Sequence, residues 1–445
     1  MLDKFKAASR SVLSKATANA KQAAATAKAN AKQQPEDQYL VALDIGTEYV
    51  KALIGRVAAG SDEVEVVGVG RQHQGLSDMQ AGAIADISSV VDNCDKALHQ
   101  AEEQAGISVR TGIIGIAGEL VKGTTTTVRV SRKEPDRPLD LGEMSRIIKL
   151  VQERAEVKAK QQLAVELGGK EVAVRLVNSA LVSIEIDSYP VTNPIGFQGK
   201  DVVVQLYTAF APMIHIGALE RTAQELDLDL LAVAAEPFAV ARSVIGDNPN
   251  TNLSAILMDV GGGTTDIAVV NDGGVQGTKM FGIGGRAYTK AVERDMGVEF
   301  TEAEELKLGL TEETLSDKEQ KQVEKALGKT LDVWTSGVEL ALGEFTKLDH
   351  LPHRIFLCGG GSSLDMLMER LQETDWYRDL PFTRKPVVQH IKPNQVAGIF
   401  DRTGDVTDHT FITAMGLLRV GMDTLNYGTA ADNSIKEKLN RMLKT

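Results

Sequence analysis

Two apolar runs separated by a turn of glycines mark the pattern in the second half of the chain. The first run, Ala255 to Met258, leads into Asp259, and the second, Ile267 to Val270, follows Asp266. Apolar runs of this length bounded by glycines are typical of buried strands joined by a tight turn. The pattern therefore predicts two strands joined by Gly261, Gly262, Gly263 and Thr264.

This turn has the chemistry of a site for a phosphate group and its magnesium ion. Glycine lets a ligand approach the backbone closely, and successive exposed N–H groups form a concavity that binds anions. A carboxylate at the end of a strand, such as Asp259, holds Mg²⁺ through water. The turn therefore predicts one side of a magnesium–phosphate cradle.

The same arrangement occurs near the start of the chain. The run Leu40 to Leu43 leads into Asp44, Gly46 and Thr47, and two further apolar runs follow over 50–57 and 64–69. The later copy has a matching third run over 275–283. A lone Asp-x-Gly turn is usually an ordinary hairpin. Two copies of one strand–turn–strand–strand unit indicate an internal duplication whose halves face one phosphate tail.

The remaining periodicities predict alternating helices and strands. Helical spacing covers 84–105, 141–159, 213–225, 238–244, 287–296, 331–348 and 363–374. Strand patterns cover 110–117, 124–130, 172–177, 180–186, 202–207, 228–234 and 354–358. Asp140 and Thr301 are the expected N-caps, each with a glutamate three residues on, and Gly106 is an expected helix end. The polar stretch 311–329 predicts an exposed loop and helix, and small polar residues predict a linker over 423–433.

The composition fits a large soluble protein of two lobes. Of the 445 residues, 43% are hydrophobic and 25% are charged. Cys94 and Cys358 cannot form a disulfide framework, which favours a reducing compartment. The sequence shows neither an uncharged bilayer-spanning run nor a signal-peptide core. The net charge is −12, although residues 1–34 carry seven basic residues and one acid, so the rest of the chain is strongly acidic. An acidic body argues against general nucleic-acid binding.

The two loops resemble the phosphate loops of the actin, Hsp70 and sugar-kinase ATPase superfamily. Ile355 to Ser362 resembles the adenosine motif of that superfamily. Tyr189 to Lys200, with its Asn193-Pro194-Ile195-Gly196 core, resembles a signature of the bacterial FtsA family of cell-division proteins. The resemblance covers roughly Gln38 to Asp423. It implies an α/β protein with the duplicated actin-like (ribonuclease H-like) ATPase fold, two lobes and an FtsA-type α+β insertion in the first lobe.

The resemblance implies ATP and Mg²⁺ between the lobes, with Asp44 and Asp259 facing the metal. The cofactor contacts that it implies fall in the two phosphate loops, the second connecting segment, a helix beside it and the adenosine motif: Asp44, Gly46, Thr47, Lys51, Asp259, Gly261, Gly262, Gly263, Thr264, Asp266, Gly284, Gly285, Glu304, Lys307, Gly359, Gly360, Gly361 and Ser362. Glu304 and Lys307 would reach the ribose and the adenine edge. The alternative for this pair is a surface ion pair between residues three apart on a helix.

Glu236 is the candidate catalytic residue, although whether ATP is hydrolysed stays open. In the superfamily the first connecting segment orients the attacking water, and Glu236 precedes Pro237 at the start of a predicted helix. Phosphoryl transfer depends mostly on positioning and charge neutralisation, so one such residue with Mg²⁺ could be enough for a weak ATPase activity. The alternative is a carboxylate placed at a helix N-terminus for the helix dipole alone.

The resemblance also divides the chain into expected domains. These are a basic tail over 1–37, lobe I over 38–118 with continuations over 206–250 and 396–423, the insertion over 119–205, lobe II over 251–395 with a smaller subdomain over 286–350, and a linker and C-terminal helix over 424–445.

The C-terminal segment has the pattern of a short amphipathic helix for a membrane surface. Its apolar positions Ile435, Leu439, Met442 and Leu443 share one face, and its basic positions include Lys436, Lys438 and Arg441. The alternative is a helix that packs on the body or a solvated end. The N-terminal tail is a second membrane-binding segment, a solvated tail or a transit peptide.

The resemblance further implies filaments on the cytoplasmic face of the membrane at the division site, bound through the second lobe to a tubulin-like division GTPase, FtsZ. Alternatives are a pilus-assembly adaptor of similar fold, or a sugar kinase, for which no base aimed at a hydroxyl was identified. An Hsp70-type chaperone would carry a sizeable peptide-binding domain after the ATPase.

Overall fold

A computed structural model describes residues 37–58, 61, 63–80, 82–166, 168–245 and 253–429. Within these ranges the chain forms 17 strands in three sheets. The strands are β1 Gln38–Ile45, β2 Tyr49–Val57, β3 Val64–His73, β4 Met79–Gln80, β5 Ala83–Ile84, β6 Thr111–Ile116, β7 Lys122–Ser131, β8 Val174–Ile186, β9 Tyr189–Pro190, β10 Asp201–Pro212, β11 Asp229–Ala235, β12 Ala255–Val260, β13 Thr265–Asn271, β14 Gly274–Phe281, β15 Arg354–Cys358, β16 Val387–His390 and β17 Ile399–Asp401.

Nine α-helices accompany the strands in the part of the chain that the structure describes. They are α1 Ile87–Ala105, α2 Leu141–Glu166, α3 Met213–Glu225, α4 Glu236–Ile245, α5 Gly285–Met296, α6 Phe300–Thr311, α7 Asp317–Gly343, α8 Asp365–Glu373 and α9 Ile412–Thr429. Of the helices in the described ranges, none is both long and apolar enough to cross a bilayer.

The first lobe is built on a six-stranded sheet in the order β11-β6-β1-β2-β3-β17. Strands β1 and β6 pair in parallel, whereas β2 and β3 form an antiparallel hairpin. Helices α1, α4 and α9 cover this sheet, and their apolar faces close one large core around residues such as Leu43, Ile113 and Leu418. This arrangement places the end of β1, and therefore Asp44, at the edge of the lobe that faces the second lobe.

The second lobe and the insertion share one nine-stranded sheet in the order β16-β15-β12-β13-β14-β7-β10-β8-β9. Strands β12, β13 and β14 form the second antiparallel unit, and β12 pairs in parallel with β15. The insertion joins the sheet where β7 meets β14, through the register pair Gly277↔Thr124. Although the insertion interrupts the first lobe in sequence, its strands continue the sheet of the second lobe, which the sequence did not predict.

The insertion and the second lobe each have a core of their own. In the insertion, α2 packs on β7, β8 and β10 around residues such as Met144 and Val204. In the second lobe, α5, α7 and α8 close a core around Trp334, whose indole N–H donates a hydrogen bond to Thr265 Oγ1 at 2.9 Å. This bond ties the long helix α7 to the start of β13, directly after the second phosphate loop.

Many of the predicted elements are confirmed. Helix α3 has the predicted bounds, and the three strands of each duplicated unit are present. Asp140 Oδ1 accepts a hydrogen bond from the N–H of Glu143, and Gly106 ends α1 with a positive φ of 70°. These local signals were correct because each depends on a few neighbouring residues.

Several predicted elements are wrong. The two strands predicted over 172–177 and 180–186 are one strand, β8. The exposed loop and helix predicted over 311–329 are present, as the turn after α6 and the start of α7, but Glu299 rather than Thr301 precedes α6. The helix predicted to begin at Ser363 begins at Asp365 after a 3₁₀ turn. The linker predicted from Asp423 is helical to Thr429. Residues 1–36 and 430–445, including the predicted membrane residues Ile435 to Leu443, lie outside the described residues.

Candidate nucleotide site

The first phosphate loop joins β1 to β2 and carries a buried ion pair. Asp44 is 4% exposed, and its Oδ2 lies 3.0 Å from Lys51 Nζ on β2. Burial lowers the pKa of Lys51, but the charges of Asp44 and Asp259 and the hydrogen bond from Lys51 to Asp44 outweigh it, so the pKa is raised. Lys51 is therefore a fixed positive charge under the loop. The N–H of Gly46 donates to the carbonyl of Tyr49 and closes the turn.

The second phosphate loop joins β12 to β13 and presents its backbone to the first lobe. The N–H of Gly261 donates to Thr264 O at 2.9 Å. Among the described residues, none accepts a hydrogen bond from the N–H of Gly262 or Gly263. Neighbouring N–H groups without acceptors are suited to bind an anion.

The two loops face each other at close range. A Cβ atom added to Gly263 would lie 2.9 Å from Thr47 Oγ1, and one added to Gly262 would lie 3.1 Å from the Cβ of Glu48. A side chain at Gly263 would therefore require Thr47 to shift, and one at Gly262 would press on Glu48. The duplicated units predicted from the sequence thus meet at one place, as the prediction of one shared ligand requires.

Four carboxylates gather under the loops: Asp44, Asp259, Asp266 and Glu236. Burial raises the pKa of Asp259, as does the charge of Asp44, whereas the hydrogen bond from Thr413 and the charge of Lys51 oppose this rise. Burial and the charges of Asp259 and Glu119 raise the pKa of Asp266 well above its ordinary value. The cluster therefore holds more negative charge than Lys51 alone balances, which favours a bound cation.

Asp266 is the least satisfied member of this cluster. It is 4% exposed, and its Oδ1 has no hydrogen-bond partner among the described residues. Its Oδ2 accepts a long hydrogen bond of 3.5 Å from Thr264 Oγ1. Glu119 Oε2, at the start of the insertion, is also buried without a partner in the described part of the chain. Unpartnered buried carboxylate oxygens are costly, so each of these two oxygens indicates a place for a cation or ordered water.

Glu236 is the first residue of α4 and is 9% exposed. Its Oε1 lies against Gly115 of β6, where an added Cβ atom would come within 2.9 Å of it. Burial and the charges of Asp44, Asp266 and Asp259 raise its pKa well above the ordinary value, and Lys51 opposes them. Glu236 therefore begins a helix and also belongs to the acidic cluster, so its helix-end position and its proposed catalytic role are compatible.

The adenosine motif folds as a turn against the second phosphate loop. Gly359 has a φ of +82°, and a Cβ atom there would lie 2.1 Å from Asp259 Oδ1, so only glycine fits. A Cβ atom at Gly361 would lie 2.8 Å from the carbonyl of Gly261, whereas one at Gly360 would have nothing within 4 Å. Ser362 is buried and donates to the carbonyl of Gly359 at 2.8 Å. Gly360 is therefore the glycine of this motif that borders open space.

Two stacked histidines support this turn from behind. The rings of His390 and His409 lie 3.9 Å apart with an interplanar angle of 10°. His390 Nε2 donates to the carbonyl of Ser362 at 2.9 Å, and His409 Nε2 lies 3.0 Å from Ser363 Oγ. Burial, and next the charge of His390, lower the pKa of His409 to about 4. The His409 ring is therefore neutral at physiological pH.

Glu304 and Lys307 form the ion pair that was the alternative to a nucleotide contact. Lys307 Nζ lies 2.7 Å from Glu304 Oε2, and both side chains contact the hydroxyl of Thr289 on α5. Lys307 Nζ also lies 3.4 Å from the carbonyl of Gly285. The pair is thus beside the predicted Gly284–Gly285 segment, and its contact with a nucleotide stays a prediction.

Sequence reasoning missed the residues that join distant parts of the site. Arg286 reaches Glu48 across 238 positions, and Thr413 reaches Asp259 across 154. Glu119 was also missed. None of these residues lies in a motif that predicts its partner, so only the fold brings them together.

The duplicated sheets, the facing loops and the third glycine turn define the class of protein: the chain has the actin-like ATPase fold. Its structure superposes with a TM-score of 0.62 on a solved structure of the PilM–PilN type IV pilus biogenesis complex. That match covers 87% of this chain and 99% of the solved chain at 16% sequence identity, so it shows the fold alone.

Residues 256–416 match the model of the cell division protein FtsA family. The chain is 27% identical to cell division protein FtsA of Pseudomonas aeruginosa over 60% of each chain. It is 25% identical to cell division protein FtsA of Bacillus subtilis over 61% of this chain and 58% of that one. Its match to FtsA of Neisseria meningitidis serogroup B, at 25% identity, spans 86% of this chain and 90% of the relative.

The chain thus spans about 60% of the length of the Pseudomonas and Bacillus relatives that it matches. The predicted resemblance to the FtsA family of cell-division proteins is confirmed, and residues 256–416 carry its domain.

Proposed function

We propose that this chain is an ATP-binding cell-division protein of the FtsA kind, which forms filaments on the cytoplasmic face of the cell membrane at the division site and attaches the FtsZ ring to it. The observation that supports nucleotide binding most directly is the pair of facing phosphate loops above an acidic cluster. The family match supports the role in division.

The residues present fit Mg²⁺ and a nucleotide. Asp266 Oδ1 is buried without a partner among the described residues, and burial raises the pKa values of Asp259, Asp266 and Glu236, so this cluster favours a cation. The described residues contain no group of three or more His, Cys, Asp or Glu side chains arranged to hold an ion directly. Asp44 and Asp259 would therefore hold Mg²⁺ through water, and phosphate oxygens would supply the remaining ligands.

Each loop would take one side of the phosphate tail. The N–H groups of Gly262 and Gly263, which have no acceptor in the described part of the chain, would donate to phosphate oxygens, and Thr47 would face them from the first loop. Lys51 would neutralise charge beneath them. The turn from Gly359 to Ser362 would flank the adenosine, with Gly360 bordering the ligand. When bound, Mg²⁺ would neutralise the charge of the phosphates.

Glu236 would orient the attacking water if ATP is hydrolysed. A carboxyl whose pKa is raised above its ordinary value is a stronger base toward a proton of water than an ordinary carboxylate. Hydrolysis need not be fast for the proposed role, because a filament-forming protein can use nucleotide to select a conformation.

Calorimetric titration of Mg-ATP into the purified full chain tests the nucleotide assignment. Asp259→Ala is expected to weaken binding while the far-ultraviolet circular dichroism spectrum stays that of the unmodified protein. Asp349→Ala is a matched control at an exposed loop carboxylate and should bind like the unmodified protein. Equal affinities for all three proteins would refute the placement of the metal–phosphate site.

A pull-down from the source cell tests the division role separately. Capture of a tubulin-like GTPase is the expected result. Capture of pilus-assembly proteins without that GTPase would replace the division role with that of an adaptor, and the actin-like fold would still stand.

A further inference from the structure

Arg286 is bonded to both phosphate loops at once. Its backbone N–H donates to the carbonyl of Gly262 in the second loop at 2.8 Å. Its guanidinium crosses to the first lobe, where Nη2 donates to the carbonyl of Thr47 at 2.8 Å and Nε donates to Glu48 Oε2 at 2.7 Å. A further bond runs from Nη1 to the carbonyl of Leu76 at 3.2 Å.

The partner carboxylate is fixed as well. Glu48 Oε1 lies 2.9 Å from His73 Nε2, and the Cβ of Glu48 packs against Gly262. The side chains of Arg286 and Glu48 are 13% and 22% exposed. A charge-assisted bond at this level of burial is stronger and better oriented than a surface ion pair.

The chemistry of the side chain explains why an arginine stands here. Its planar guanidinium presents donors in a rigid fork and reaches acceptors on three different residues of the first lobe. A lysine ammonium is a compact point charge on a flexible stem and cannot reproduce that geometry.

We propose that Arg286 is the positioning residue that fixes the spacing of the two phosphate loops, and that this spacing is required to bind the β- and γ-phosphates of a nucleotide from both sides. The first half of the proposal concerns the protein alone. The second half rests on the proposed function. A small misplacement of positioning groups has a large effect on the groups they orient, so a loosened pair of loops would lose polyphosphate contacts first.

Pulsed electron paramagnetic resonance tests the spacing without any nucleotide. Spin labels are attached at Glu103→Cys on α1 in the first lobe and at Lys325→Cys on α7 in the second, both exposed positions. The native Cys94 and Cys358 are fully buried, so labelling is selective.

The doubly labelled protein in which Arg286 is unchanged should give one narrow distance distribution between the labels. Adding Arg286→Lys to this protein should broaden or shift the distribution. Arg294→Lys is the matched control, since Arg294 lies on the same helix and pairs only with the adjacent Asp295 among the described residues. An unchanged distribution in Arg286→Lys would overturn the proposal.

Competition of ATP, ADP and AMP against a fluorescent ATP analogue tests the consequence. Arg286→Lys should weaken ATP and ADP binding about tenfold or more, the equivalent of one charged hydrogen bond, and should change AMP binding less than about twofold. Glu48→Gln, a milder change that keeps the side chain's shape, should show the same selectivity. An equal loss for AMP would indicate general damage and would overturn the positioning role.

The two experiments separate the proposals. If the unmodified protein does not bind ATP, the proposed function fails, while the label distances still report on the spacing. If ATP binds but Arg286→Lys retains full ATP affinity, the positioning role fails and the proposed function stands.

Discussion

Removing the charge of Asp266 should stabilise the protein and impair its site. The carboxyl is almost fully buried, its Oδ1 has no partner among the described residues, and its Oδ2 accepts one long bond from Thr264. Asp266→Asn keeps the shape of the side chain and removes a negative charge from a cluster that has one lysine. The new amide can also donate to the Thr264 hydroxyl.

The expected gain follows from the cost of the unsatisfied group. A buried polar group without a partner destabilises the folded state by about 1–3 kcal/mol, and more when the group is charged. Without nucleotide, we therefore expect Asp266→Asn to raise the free energy of unfolding by about 1–3 kcal/mol at neutral pH. Most substitutions at buried positions lower the free energy of unfolding, so an increase would point to removal of the unsatisfied charge.

The pH dependence gives a second check. Folding raises the pKa of Asp266 above its ordinary value of 3.8, because of burial and the charges of Asp259 and Glu119. Between these two pKa values the folded state binds more protons than the unfolded state, so stability falls as the pH rises through this window. Asparagine does not titrate. The advantage of the variant should therefore be near zero below the ordinary pKa and grow as the pH rises.

Chemical denaturation of the full chain between pH 4 and pH 8, without nucleotide, measures both effects. Asp349→Asn, at an exposed position, should change the unfolding free energy little at any pH. The same Asp266→Asn protein should bind Mg-ATP more weakly, since the carboxylate that a cation would satisfy is gone. A variant that is less stable than the unmodified protein at neutral pH would refute the reasoning about the unsatisfied charge.

Three further predictions concern the catalytic, adenosine and membrane segments. Glu236→Gln should lower any ATPase rate, measured by phosphate release, while Mg-ATP still binds; an unchanged rate would leave Glu236 as a helix-end residue. Gly359→Ala should lower the unfolding free energy by about 1–3 kcal/mol or more, because the backbone there has a φ of +82° and the added Cβ atom would lie 2.1 Å from Asp259 Oδ1. Gly360→Ala, which meets nothing within 4 Å, is the matched control, and equal losses would contradict the argument. Deleting 434–445 should release the protein from anionic liposomes in a flotation assay, since apolar burial and about 1 kcal/mol per basic residue would hold that segment on the surface. If the shortened chain still floats with the liposomes, the membrane contact lies in another segment of the chain.

The sequence predicted those parts of the site that are built from neighbouring residues. Each phosphate loop is a strand, a carboxylate and a glycine turn, and all three signals lie within about ten positions. The helix that begins at Asp317 is another local feature. A capping box starts it, in which Ser316 and Glu319 exchange hydrogen bonds.

Signals from neighbouring residues could not predict the contacts between the two lobes. Nothing around Glu48 predicts an arginine 238 positions away, and nothing around Thr124 predicts that the insertion will pair with β14. Strand pairing between distant segments depends on which edges the rest of the fold leaves available. At the end of α9, Leu425 packs against the core of the first lobe, and the helix continues to Thr429 where small polar residues predicted a linker.

The insertion contacts both the second lobe, where β7 pairs with β14, and helix α4 of the first lobe. Its backbone connection to the second lobe is the pair Gly277↔Thr124, reinforced by the hydrogen bond from Thr125 Oγ1 to Val275 O at 2.9 Å. On its other side, Tyr207 of β10 stacks on Phe238 of α4, with ring centroids 5.6 Å apart. A force applied to the insertion would therefore act on the second lobe through β14 and on the helix of Glu236 through Phe238. The β7–β14 pairing and the stacking of Tyr207 on Phe238 would therefore link a displacement of the insertion to the position of the carboxylates beneath the phosphate loops.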